Sequence, residues 1–340
     1  MTLDVLVAGG GPVGLAAAIE ARMRGLSVTV VEPRDGAIDK ACGEGLMPGA
    51  LPALARLGVD PEGHPLRGVS YRDGRRRVDH RFESGEGRGV RRTVLHAALQ
   101  ARAAELGAQF VSGRVENVTQ DADGVEAAGI RARYLLAADG LHSTVRRALG
   151  MERPVRARGR RFGLRRHYHL EPETDLIEVY WSSAAEAYLT PVGGGVIGVS
   201  LLGRRGMDFD RAIAAIPELA GRLAGAEPAS ALRGAGPFRQ RSVRPSNGRV
   251  LLVGDASGYV DAITGEGIRV GLAQAQAAVE CAEFDAPEVY ADAWTERTRD
   301  FRVLTSGLVA AATSPLRGAI VPVAHRLPRV YGAAIERLAR

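Results

Sequence analysis

Lysine is almost missing from this 340-residue chain: of 45 basic residues, all but Lys40 are arginine. Aromatic residues are also sparse, at 5%, which leaves no stacking platform interleaved with the basic runs. The formal charge of +6 and the pI of about 9.7 are carried by dispersed arginines, and no nucleic-acid partner is expected. The arginine clusters at 72–81 and 88–92 suit a solvated face or an anionic ligand. Cysteine is limited to Cys42 and Cys281, and only Met1-Thr2-Leu3-Asp4 precedes the first apolar run. These absences exclude a disulfide framework, show no secretory signal and predict a cytoplasmic setting. Metal-ligand spacing is missing too. His167 and His169 share one face of a predicted strand without partners, as on a solvated edge. No uncharged apolar run reaches the roughly 18 residues a membrane span requires.

What is present begins with LDVLVAGGGPVGLAAAIEARMRGLSVTVVEPRD. An apolar run from Leu3 to Ala8 enters a glycine turn, an alanine-rich helix runs to about Arg24, and a second strand from Leu26 to Val31 closes on Glu32. This is a βαβ unit with a dinucleotide fingerprint. Gly9 allows the tight turn, Gly11 lets a pyrophosphate approach the backbone, and Gly14 lets helix pack on strand. Glu32 is placed for a ribose hydroxyl, which suits FAD or NAD rather than NADP. Two later apolar strands end in Asp139-Gly140 and Gly254-Asp255. The second leads into Thr264-Gly265-Glu266-Gly267-Ile268 and a helix through Glu280. Both strand ends should face the same ligand.

These three ordered motifs span residues 5 to 270, and with them the chain resembles the flavoprotein monooxygenase superfamily of the para-hydroxybenzoate hydroxylase fold, in its geranylgeranyl reductase-like branch. The resemblance implies an α/β, two-domain protein. It joins a glutathione-reductase-type Rossmann FAD-binding domain (1–150 and 246–300) to an inserted antiparallel-sheet substrate domain (151–245, with about 65–85 joining it) and C-terminal helices (301–340). It further implies that Gly9, Gly11, Gly14 and Glu32 hold the ADP half of FAD. Arg92 would start a helix near FAD, Asp139-Gly140 would lie near the pyrophosphate and the nicotinamide approach, and Asp255 would bond the ribityl chain beside Gly254, Gly265, Gly267 and Ile268. Lys40-Ala41-Cys42-Gly43 matches the branch's Lys-x-Cys-Gly element close to the flavin ring. Lys40 would then steady the reduced flavin and Cys42 could deliver a proton, although a free cysteine commonly serves only as a small buried hydrophobe.

The resemblance favours an NAD(P)H-dependent monooxygenase of an apolar or aromatic small molecule, in specialised metabolism, because Tyr188-Leu189-Thr190-Pro191 lacks the tryptophan of the branch's reductases. The alternative is reduction of prenyl double bonds, followed by flavin binding without turnover. Short alternating runs from 161 to 204 predict an antiparallel meander, with Leu164, Tyr180, Tyr188 and Val199 as pocket candidates. A helix is expected over Met207 to Leu223. The tail, with Pro315-Leu-Arg and Pro328-Arg-Val, reads as short basic amphipathic helices that pack on the FAD domain, cover a lipophilic entrance or touch a membrane weakly.

Overall fold

The structure, a computed structural model, describes residues 2–155, 160–183 and 185–339. Val5, Leu6 and Val7 have no solvent exposure, as a strand buried on both faces of a parallel sheet requires. The strand Leu3–Ala8 pairs in parallel with Val28–Glu32 on one side and Ile130–Ala137 on the other. Gln109–Ser112 and Val250–Leu252 extend the sheet in the same sense. Alternate residues divide its two faces. Val5, Val7, Val30, Tyr134 and Leu136 pack under the helices Pro12–Met23, Arg92–Glu105 and Gly267–Glu283, while Leu6, Ala8, Val31, Leu135 and Ala137 form a second layer with Val125, Val145 and Met151.

The second sheet is antiparallel but not the simple meander expected: Leu176–Trp181, Glu186–Gly193 and Val196–Arg204 pair in succession, whereas Arg161–His169 pairs with Val196–Arg204 rather than with the strand that follows it. Gly68–Arg72 joins it in parallel beside Leu176–Trp181, and Arg77–Arg81 forms the edge. Strand parity separates Tyr188, which lines the cavity described below, from Tyr180 and Val199, which lie in the core packed against Phe209, Ile213 and Leu219. Leu164 borders the cavity, but its register partner Leu201 puts it on the face of that core. The expected helix over Met207 to Leu223 is two, Phe209–Ala214 and Pro217–Arg222. Pro217 lacks an N–H and pushes Ile216 to φ −120°, ψ 85°, which ends the first helix.

The C-terminal segment consists of the long helix Tyr290–Ala312, the turn Pro315–Ala319, and the helices Ile320–Arg326 and Pro328–Ala339. It docks on the edge of the second sheet. The Tyr331 hydroxyl donates to the Val69 carbonyl at 3.2 Å, Glu336 accepts the Glu83 N–H at 2.9 Å, and Arg317 pairs with Glu186 at 2.9 Å.

Candidate functional site

Between the two sheets lies a cavity of about 430 Å³ that runs from the first glycine turn to the apolar face of the antiparallel sheet. The turn's glycines have separable reasons. At Gly9 φ is +102° and a Cβ would stand 2.7 Å from the Ala138 carbonyl oxygen, so only glycine fits. At Gly14 a Cβ would stand 1.9 Å from the Gly9 oxygen, so the helix sits directly on the strand. At Gly11 a Cβ would meet nothing within 4 Å, and the residue lines the cavity. Its backbone is left open toward the ligand space at the start of the helix Pro12–Met23.

Glu32, at the end of the second strand, accepts the Gly10 N–H at 2.8 Å and is paired with Arg34. Burial pushes its carboxyl up, but Arg34 and the Gly10 N–H outweigh this and hold it below its ordinary value. Arg92 begins its helix on the cavity wall, with its Nε buried and unpartnered. Asp139 acts as a local cap: its Oδ2 accepts the Thr144 N–H at 2.7 Å and the Val145 N–H at 3.1 Å, while Oδ1 is buried without a partner. Gly140 lines the cavity. Gly254 donates its N–H to Gln274 at 2.6 Å, and Asp255, Gly265, Gly267 and Ile268 complete that side of the wall. Sequence reasoning gave no site role to Arg146. It is fully buried, donates to the Ala256 carbonyl at 2.8 Å and the Leu141 carbonyl at 3.1 Å, and so ties the Asp139 and Asp255 strand ends together.

Lys40 and Cys42 both stand on the cavity wall. The Lys40 Nζ is 3.5 Å from where a Cβ on Gly140 would lie. Its side chain is exposed, along the open cavity. Burial, then Arg34 and Arg92, lower its pKa, against the pull of Asp255 and Glu32. Burial raises Asp255 in turn, opposed by Lys40, Arg92 and Arg146. The wall thus sets a cation and an acid at one end of an otherwise apolar space.

The loop carrying these residues is bolted to the antiparallel sheet. Glu44, 5% exposed and at φ +60°, accepts the Arg92 N–H at 2.8 Å and sits 2.5 Å from His167 Nε2. Arg165 binds Asp39 and the Lys40 carbonyl, and Ser200 donates to the Cys42 carbonyl at 3.2 Å. His167 is therefore not on a solvated edge: it is 1% exposed, because Glu44, 123 residues away in sequence, packs against it on the antiparallel sheet. Its tautomer follows from its neighbours. Arg165 has donors only and lies 3.1 Å from Nδ1, so Nδ1 accepts and the proton is on Nε2, facing Glu44. Only His169 of the pair is exposed. Likewise Arg72 is buried, against Glu178 and Glu218, rather than part of a solvated face.

The far end of the cavity is apolar and aromatic, with Val69, Tyr71, Val179, Tyr188, Leu202 and Phe238 on the sheet side. Leu308, Ile335 and Leu338 of the C-terminal helices close it. A flavin dinucleotide fits the polar end: the open Gly11 backbone suits a pyrophosphate, and Arg92 Nε and Asp139 Oδ1 are buried polar atoms still in need of partners. Among the described residues no cluster of ligands could hold a metal ion.

A family model described as FAD binding domain matches residues 2–280. The chain is 30% identical to a menaquinone reductase of Mycolicibacterium smegmatis, over 86% of this chain and 79% of that protein. It is 27% identical to a digeranylgeranylglycerophospholipid reductase of Methanopyrus kandleri, over 87% and 83%. A 3-(3-hydroxy-phenyl)propionate/3-hydroxycinnamic acid hydroxylase of Mycobacterium avium is 33% identical over 44% of this chain and 31% of its own length. The fold is shared with p-nitrophenol 4-monooxygenase of Pseudomonas putida, at a TM-score of 0.82 and 19% identity, covering 99% of this chain and 98% of that one. With the family model spanning most of its length, the chain belongs to the FAD binding domain family and is an FAD-dependent oxidoreductase.

Proposed function

We propose that this protein takes electrons from NAD(P)H and uses them to oxygenate an apolar or aromatic small molecule, in the cytoplasm. The observation that carries this reading is the continuity of one cavity from the glycine turn to an aromatic wall, where Tyr71, Tyr188, Phe238 and Tyr259 offer ring faces and edges to a planar guest. Bound FAD would supply the redox chemistry. Gly11 and Arg92 would hold its phosphates, Asp255 its sugar chain, and Lys40 would place a positive charge at the ring end. The apolar wall excludes water around the reacting atoms.

A second reading has its own support: the relatives that align through both domains are the reductases, whereas the hydroxylase aligns over less than half of the chain. In that reading Cys42, on the same wall, gives a proton to the substrate carbon that has not received hydride. Both readings consume one proton and two electrons from NAD(P)H per turnover.

The experiment is NADH and NADPH oxidation by FAD-loaded protein with a panel of phenols, quinones and polyprenyl lipids, under isotope-labelled dioxygen and under argon. Oxygenation puts label in the product; a saturated, unlabelled product formed equally well under argon establishes the second reading. Failure of both nucleotides to reduce the bound flavin would overturn both readings.

A further inference from the structure

We propose that the turn and helices from 315 to 330 form a docking surface for an anionic lipid bilayer, held at the interface rather than inserted across it. From 301 to 335 the chain contains no aspartate or glutamate, and His325, Arg326 and Arg329 are exposed there, while Arg317 is paired with Glu186 and Arg302 lies over the Trp294 ring. Within it Leu316, Val323, Leu327 and Val330 are 66%, 49%, 51% and 62% exposed. With the half-buried Ile320 they place an apolar residue on each successive piece of this segment: the turn Pro315–Ala319, the helix Ile320–Arg326, its end at Leu327 and the first turn of Pro328–Ala339. Solitary exposed apolar residues are ordinary, but a spaced series flanked by arginines and free of acids is the pattern of an interfacial segment.

This apolar series is not spent on holding the tail in place. Val321, Ala324, Tyr331 and Ile335 do that, buried against Val69, Tyr71 and Val78. No single helix among the described residues is long and apolar enough to cross a membrane, and the pair Pro287–Ala312 and Pro315–Arg326, which would suffice by length and composition, is bent by 95° at its break, a geometry that suits contact with one leaflet. Charge selects the occupant: a surface with arginines and no carboxylates is attracted to anionic headgroups, each arginine strengthening binding roughly fivefold near such a surface. The placement also has a use, since Ile335 and Leu338 of the adjoining helix line the far end of the cavity. A lipophilic molecule leaving the leaflet would meet the site without crossing water. The inference does not depend on which reaction the flavin site performs.

The test is flotation of FAD-loaded protein with vesicles of phosphatidylcholine, with and without phosphatidylglycerol, at low and high salt. Wild type should float with the phosphatidylglycerol vesicles, at least tenfold less well with phosphatidylcholine alone, and less well in high salt. The double variant Leu327→Asp/Val330→Asp should stay in solution with its flavin absorbance intact, and Arg326→Gln/Arg329→Gln should bind at least tenfold more weakly. Wild type that does not float, or an aspartate variant that floats like wild type, overturns the proposal. So does a wild-type dimer that the aspartate variant dissolves, which would make the apolar series a contact between two copies.

Discussion

Replacing Gly11 and Gly14 by alanine, one at a time, separates binding from packing within a single turn. At Gly11 the added methyl meets no protein atom within 4 Å, and the backbone, at φ −70° and ψ 173°, is one that alanine adopts freely. The FAD-free Gly11→Ala chain should therefore unfold in urea within about 0.5 kcal/mol of wild type. Its methyl nevertheless projects where the phosphates approach, and FAD affinity should fall at least tenfold, about 1.4 kcal/mol. At Gly14 the methyl would lie 1.9 Å from the Gly9 oxygen and 3.2 Å from the Ala138 side chain. Helix and strand must then part, at roughly 3 kcal/mol or more, and FAD binding should be lost with the fold. Urea titration of stripped protein and fluorescence titration with FAD give the two numbers for each variant. Wild-type FAD affinity in Gly11→Ala would remove the phosphate from this turn, and wild-type stability in Gly14→Ala would refute the packing.

Lys40→Met should keep FAD bound but lower the flavin's reduction potential, with Lys40→Arg intermediate; an unchanged potential in dye-equilibrated titrations would leave the lone lysine without a field effect. Cys42→Ala should cost little if the reaction is oxygenation and should abolish product if it is double-bond reduction, as read by product yield. Glu266, 1% exposed, has its carboxyl pushed up by burial to about 7. A raised folded-state value means stability is intact below about pH 4.5 and is lost as pH rises through 7, so Glu266→Gln should be more stable than wild type at pH 8 by about 3 kcal/mol, with no such gain at acid pH. Equal gains at both pH values in urea melts would refute this. His167→Ala leaves the buried Glu44 carboxylate without its Nε2–H partner, which should cost about 3 kcal/mol and speed hydrogen exchange in residues 38–46; a loss below about 1 kcal/mol would contradict the network.

Local order was readable because the signals were local. Leu3–Ala8, the glycine turn and Val28–Glu32 lie within thirty residues, and each strand's burial pattern follows its own sequence. The alternation from 161 to 204 likewise announced antiparallel strands, but not that the first of them would pair with the last. What stayed hidden depends on contacts between distant segments. Glu44 gave no signal because its partner, His167, belongs to the other sheet, and the same pairing explains why a seemingly exposed histidine is buried. Arg146 looked like one more arginine until the fold set it between two strand ends. Tyr180 and Tyr188 could not be told apart by residue type, since only the register Val179↔Tyr188 decides which of them faces the cavity.

The attachment of the 38–46 loop to the antiparallel sheet also bears on recombination among relatives. By position in the chain this loop travels with the nucleotide-binding strands, but Asp39, Lys40, Cys42 and Glu44 are gripped by Arg165, Ser200 and His167 from the antiparallel sheet. A chimaera that exchanges the inserted sheet alone would part the loop from its anchors and leave Glu44 facing a stranger. Moving residues 38–46 together with 161–204 keeps the matched pieces in one inheritance unit, so crossovers placed outside both segments should yield folded hybrids and crossovers between them should not.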